Sequence, residues 1–196
     1  MACTPYNISM ITYITAALSH LDPIPLELSE MVKIQLEEDG MELSTTEAEN
    51  RLRQASQSGL GVYICAALET DVRDETSPSG LDERPLFNRL NDGALRGFGF
   101  FNLCYGLECG GEYLWLNELH VDRESRRKGI ATGILKHIEQ WARKRGCAYS
   151  ACLTGSDNEA AQNMYRSQGF SISKVNWVEK DLTAAPRAEP EPEDHE

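Results

Sequence analysis

Arg126-Arg127-Lys128-Gly129-Ile130-Ala131 joins an apolar, strand-like run, Tyr113 to Val121, to an amphipathic helical pattern beginning near Gly129. Glycine and basic residues where a strand feeds a helix N-terminus suit a pyrophosphate. The first-turn N–H groups have no partner within the helix, and the macrodipole favours negative charge there. Gly129 lets the backbone approach an anion closely, and Ala131 is the next smallest choice. The stretch does not end in Gly-Lys-Ser/Thr, and Gly-x-Gly-x-x-Gly is absent. The expected phosphate ligand is therefore neither ATP nor NAD.

A second cluster follows downstream: Asn158-Glu159-Ala160-Ala161-Gln162-Asn163-Met164-Tyr165, then Gln168-Gly169-Phe170. In this order and spacing, Arg126-x-x-Gly129-x-Ala131 and the second cluster resemble motifs A and B of the GNAT N-acetyltransferases. The resemblance covers roughly residues 97–180. The run Tyr113 to Val121 is most similar to the small-amine branch, such as the diamine and spermidine/spermine acetyltransferases.

The resemblance implies an α/β fold: a mixed, mostly antiparallel sheet flanked by helices, with two splayed parallel strands forming an acetyl-CoA cleft. Those strands would be Leu116–Val121 and Cys147–Leu153. Backbone groups near Leu119, His120 and Val121 would bond the pantetheine amides, and an N–H near Leu119 would face the thioester oxygen. Arg126, Arg127, Lys128, Gly129, Ile130 and Ala131 would supply N–H groups to the pyrophosphate, with Thr132 nearby. Asn158 matches a cofactor ligand; as a residue read alone, it is an ordinary helix start. Tyr165 matches the tyrosine that protonates the leaving thiolate. A phenol can donate in this way, and a lone Tyr at a helix end otherwise reads as packing.

The base is less clear. Alternation puts Asn117, Leu119 and Val121 on one face of the strand, and Glu118 and His120 on the other. Polyamine-type relatives carry a carboxylate where Asn117 stands, so Asn117 is an acceptor-side residue that departs from their pattern. Glu118 is next in line as the catalytic base, re-aimed by a bulge. A proton could also leave through ordered water. His120 has a suitable intrinsic pKa, but is expected to pack outside the cleft. The reading is acetyl transfer from acetyl-CoA to a primary amine of a small, cationic acceptor. A protein lysine or N-terminal amine is the alternative acceptor, and a non-catalytic acyl-CoA sensor the alternative class.

Composition narrows the setting. The chain has 196 residues and a net charge of −12. One domain over 1–182 is expected, with an exposed insertion over 69–95 and a disordered acidic tail over 183–196. No apolar run is long enough to span a bilayer. Met1 to Leu21 lacks the basic start of a signal peptide. Six cysteines without Cys-x-x-Cys read as free thiols in a reducing compartment, hence a cytoplasmic protein. Four histidines show no metal-ligand spacing. An acidic chain argues against a nucleic-acid partner, no membrane partner is expected without an apolar span, and the family resemblance allows a homodimer.

Charge is unevenly spread. Asp22 to Asn50 holds nine acidic residues and one Lys, whereas Arg123 to Arg145 holds eight Lys and Arg against Glu124 and Glu139. Two differently charged ligands would suit such a chain.

The elements that must position these residues follow from period and punctuation. Leu26 to Glu38 has helical spacing. Ser44 or Thr45 caps a helix to about Ser56, with Glu47 completing a capping box. Val62–Leu68 and Arg96–Tyr105 read as strands, and Gly110-Gly111 as the turn into the strand ending at Val121. In the motif helix, Ile130, Ile134, Leu135, Ile138 and Trp141 form a stripe, ended by Gly146. Cys147 to Leu153 is a strand. Ser156 or Asp157 caps a helix to about Gln168, and Phe170 to Val178 is a last strand.

Overall fold

Glycines at 97 and 99 let the motif helix lie directly on the sheet. A Cβ on Gly97 would stand 3.2 Å from Ile134 Cδ1, and 2.7 Å from the His120 carbonyl oxygen of the neighbouring strand; one on Gly99 would stand 2.7 Å from Ile138 Cδ1 and 3.0 Å from Ile134 Cγ2. The computed structural model describes residues 9–71, 90 and 93–183. Five strands, β1 (Ser9–Ala17), β2 (Val62–Asp71), β3 (Ala94–Gly106), β4 (Gly111–Val121) and β5 (Ser150–Cys152), form one sheet in that order. Neighbours are antiparallel except β4 and β5, which run parallel. This is the mixed sheet expected.

Helices cover both faces. Helices α1 (Leu26–Glu38) and α2 (Thr45–Gln57) bury Leu28, Met31, Val32, Ala48 and Leu52 with Ile64, Leu68 and Phe98. On the other face α3 (Ile130–Arg145) buries Ile130, Ile134, Leu135, Ile138 and Ala142 against Cys65, Phe101, Leu114 and Leu116. Trp141 is half-buried beside Tyr63 and Phe101. Each large aliphatic side chain so buried contributes roughly 1.5–3 kcal/mol. The last of the described helices, α4 (Glu159–Ser167), turns Tyr165 into the same layer. Ser44 and Glu47 form the expected capping box, and Gly146 ends α3 at φ 86°.

Several expectations change. β1 was not anticipated, although Met10-Ile11-Thr12-Tyr13-Ile14-Thr15 is β-branched and aromatic, as strands prefer. β2 runs to Asp71 and β3 begins at Ala94, so both strands extend into the supposed insertion over 69–95. Glu69 and Arg96 are tied there, Nε to Oε2, at 2.7 Å. Residues 72–89 and 91–92, and the tail from 184, lie outside the described residues.

β5 is shorter than Cys147–Leu153: Ala148 and Tyr149 still bond to the start of β4, but beyond Cys152 the chain leaves it. Asn158, not Ser156 or Asp157, caps α4, its side chain accepting from Ala161 N at 3.1 Å. Phe170–Val178 is not a strand. From Ser171 on it is exposed, because a three-residue edge offers too few backbone partners for a ladder.

Candidate functional site

The β4–β5 ladder ends at the pair Leu116 and Cys152. Beyond it β4 continues through Val121 paired with β3 but no longer with β5, while Leu153, Thr154 and Gly155 diverge. A cleft of about 780 Å³ opens between them, within the range that holds small ligands. Asn117 is the pivot. Phe100 pairs with Glu118 and Phe101 with Leu116, so Asn117 is a bulge with no partner on β3. One extra residue reverses which face each side chain takes. Before it, Leu114 and Leu116 face α3; after it, Leu119 and Val121 do. Glu118 and His120 are thereby re-aimed toward α1. An unbulged strand would have driven Glu118 into the α3 core.

At one end lies the turn into α3. Gly129, its N-cap, has φ 81° and no capping side chain, and the first turn holds no acidic residue. Arg127 is also left-handed, at φ 66°, a conformation non-glycine residues rarely adopt and which clusters at ligand sites. The first helical bond is Gly133 N to Gly129 O, at 2.9 Å, which leaves the N–H groups of Ile130, Ala131 and Thr132 without intrahelical acceptors. An uncapped, cation-flanked N-terminus at the mouth of a cleft fits a pyrophosphate. A Cβ on Gly129 would meet nothing within 4 Å; its need for glycine comes from φ, not from crowding in the protein itself.

The basic side chains divide their work. Arg126 Nε donates to the Val121 carbonyl at 3.0 Å, which takes one backbone group expected for the pantetheine. Its Nη2 reaches both oxygens of Glu38, at 2.9 and 2.6 Å. Such a half-exposed pair adds at most about 1 kcal/mol, so it acts as a tether from the turn to α1. Arg127 lines the cleft. Lys128 is exposed and outside the lining, and its charge acts on Glu69.

The other end is acidic. Gln35, Glu38 and Asp39 of α1 and its C-cap line it together with Glu118 and His120. Glu118 is half-buried, and burial first, then the Asp39 carboxylate, push its pKa up; a hydrogen bond from Gln35 opposes them. A carboxylate perturbed upward in a cleft suits proton abstraction. His120 is buried, as expected, but lines the cleft rather than packing outside it. Burial lowers the pKa of its imidazole, despite Glu38 Oε2 at 3.8 Å. Asn117 is exposed in the cleft and donates to Asn102 Oδ1 at 2.8 Å.

Tyr165 lines the cleft from the far wall, 7% exposed, with its ring 5.4 Å from Phe170. Burial, with Cys152 beside it, raises the phenol's pKa, so it keeps its proton. Asn158 also lines the cleft, with its side-chain oxygen committed to the cap.

The acidic stretch Asp22–Asn50 suits the approach of a cationic acceptor, but the sequence did not single out Gln35, Glu38 and Asp39 within it. A signal existed. Glu37, Glu38 and Asp39 crowd the C-terminal end of α1, where the macrodipole disfavours anions, and no basic residue answers them in the last turn.

The family model for acetyltransferases of the GNAT family matches residues 49–170. An aminoglycoside N(6')-acetyltransferase type 1 of Klebsiella aerogenes is 32% identical over 94 residues, 46% of this chain and 62% of that protein. One of the same description from Acinetobacter baumannii is 36% identical over 69 residues, 35% of this chain and 47% of that protein. The matches therefore span less than two thirds of these curated relatives. Among solved structures, a probable acetyltransferase superposes with a TM-score of 0.65 at 24% identity, over 87% of this chain and 97% of the other. That likeness carries the fold.

Proposed function

This chain belongs to the acetyltransferase (GNAT) family, and we propose that it transfers an acetyl group from acetyl-CoA to a primary amine of a small, cationic acceptor. The carrying observation is the cleft itself. It opens where β4 parts from β5, with unpartnered N–H groups of α3 at one end and the carboxylates of Glu38, Asp39 and Glu118 at the other.

Acetyl-CoA, when bound, supplies the acetyl group as a thioester. Ile130, Ala131 and Thr132 would hold the pyrophosphate through backbone N–H groups, with Gly129 and Arg127 shaping the turn. The outer edge of β4 near Leu119, His120 and Val121, which β5 no longer covers, would bond the pantetheine, and an N–H near Leu119 would stabilise the negative charge that develops on the thioester oxygen. Glu118 accepts the proton that the attacking amine loses. Tyr165, which keeps its proton in the cleft, would donate it to the leaving sulfur. The carboxylates of Asp39 and Glu118, beside the Arg126-paired Glu38, favour an acceptor carrying further positive charge. The aminoglycoside-modifying relatives support that acceptor class; a diamine or polyamine has the same chemistry.

Free thiol released from acetyl-CoA, scored over a panel of amines, tests the reading. Release with aminoglycosides or diamines supports it. Release only with a peptide lysine or N-terminus would move the acceptor to protein, and CoA binding without release would indicate a sensor.

A further inference from the structure

Gln35 is 7% exposed and comes from α1, 83 positions before Glu118. Its amide nitrogen donates to Glu118 Oε2 and to Asp39 Oδ2, both at 2.6 Å. Its two N–H groups are thus both spent on carboxylates. Its Oε1 is buried with no partner. A buried, unsatisfied amide oxygen is costly, and in a native structure calls for a reason. The reason on view is the bridge: orientation of the nitrogen toward two anions is kept at the expense of the oxygen.

We propose that Gln35 and Asp39 are positioning residues for Glu118: the amide bridges the two carboxylates and holds Glu118 where it can take the acceptor amine's proton. The inference rests on the reading of Glu118 as the base. The bridge and the neighbouring charge work against each other. The hydrogen bond from Gln35 favours the ionised form of Glu118, and the Asp39 charge disfavours it. The other groups facing Glu118 are accounted for. Burial lowers the pKa of His120, on the same strand face, and Glu38 is engaged by Arg126. Asp39 is exposed at the helix end, so its charge can be removed without opening the core.

This arrangement makes a signed prediction. Gln35→Met keeps the side chain's length, removes the bridge and removes the orphaned oxygen. Asp39→Asn removes the charge and keeps the shape. The acid limb of the kcat/KM–pH profile should move to higher pH in Gln35→Met and to lower pH in Asp39→Asn, with KM for acetyl-CoA unchanged in both. A purely structural role for Gln35 would lower activity at all pH values alike. Should Gln35→Met fold poorly, the downward shift in Asp39→Asn still decides. Carbon-detected NMR titration of the Glu118 carboxyl, assigned by its loss in Glu118→Gln, reads the same opposite shifts without turnover. It therefore separates failure of this inference from failure of the acetyltransferase reading. Titrations of Glu118 that coincide in all three proteins, or that move the same way in both variants, overturn the proposal.

Discussion

The two ends of the cleft are built from different materials. The α3 end is backbone: a left-handed Arg127, a left-handed Gly129 and the N–H groups of the first helical turn. The α1 end is side chain: Gln35, Glu38, Asp39 and Glu118, gathered from elements 83 residues apart. Backbone recognition needs a conformation and tolerates many side chains. Side-chain recognition needs particular residues and fixes which acceptor is taken. A cleft divided in this way can keep its cofactor while its acceptor changes.

If the division holds, substitutions at the α1 end should spare CoA binding and destroy turnover. Glu118→Gln should lower kcat/KM by about 10²–10⁴-fold, the scale of general base catalysis, with CoA affinity by calorimetry unchanged. In the parent, activity should fall on the acid side at a pH above the ordinary carboxylate value, because Glu118 must be ionised and its pKa is raised. The same shift has a stability sign. The native state binds the proton more tightly than the unfolded state, so stability falls as pH rises through the raised pKa. Glu118→Gln should therefore melt no lower than the parent at neutral pH. A clearly lower Tm would assign Glu118 to structure.

Tyr165 belongs to neither end and should show a purely catalytic loss. Tyr165→Phe keeps the packing on Phe170 and removes the proton. A fall in kcat of about 10²-fold is expected, with near-normal CoA affinity; parental turnover would leave Tyr165 as packing.

At the α3 end the pattern should invert. Gly129→Glu places a carboxylate among the free N–H groups and should weaken CoA binding about tenfold or more. It also forces a side chain into φ 81°, at a cost of about 1–2 kcal/mol, so its Tm should drop slightly while the fold survives. Unchanged CoA affinity by calorimetry would remove the phosphate reading of the turn.

A smaller effect separates the turn from the helix behind it. A Cβ on Gly133 would stand 2.0 Å from Tyr13 Oη of β1. Gly133→Val should lose about 1–3 kcal/mol by overpacking, seen as a lower midpoint in urea, whereas CoA affinity of the folded fraction should hold.

The same division explains what could be read from the chain. The turn at 126–132, α3 and its Gly146 stop, and α1 and α2 with the Ser44–Glu47 box follow from local period and capping, which sequence carries directly. The bulge at Asn117 could be anticipated only as a device, since it is defined by how β3 pairs with β4. Gln35 and Asp39 stayed hidden because the bond to Glu118 closes over 83 residues. β1 was missed because its short apolar pattern becomes a strand through its pairing with β2, in a register that runs from Ser9 opposite Asp71 to Ala17 opposite Tyr63. Phe170–Val178 was over-read. Its residues alternate well enough, but a strand exists through its partner, and β5 presents three residues.

The acidic end bears most directly on the central claim. Thiol release from acetyl-CoA should be followed at low salt with an aminoglycoside, a diamine, an uncharged-tail monoamine and glutamate. The cleft predicts the highest kcat/KM for the two cations and the lowest for glutamate. The gap should narrow as salt rises, since exposed charges are screened beyond about 8–10 Å near physiological ionic strength. Equal kcat/KM for cationic and acidic amines at low salt would contradict the account of the acceptor end, and thiol release with none of the four amines would contradict small-amine acetyl transfer.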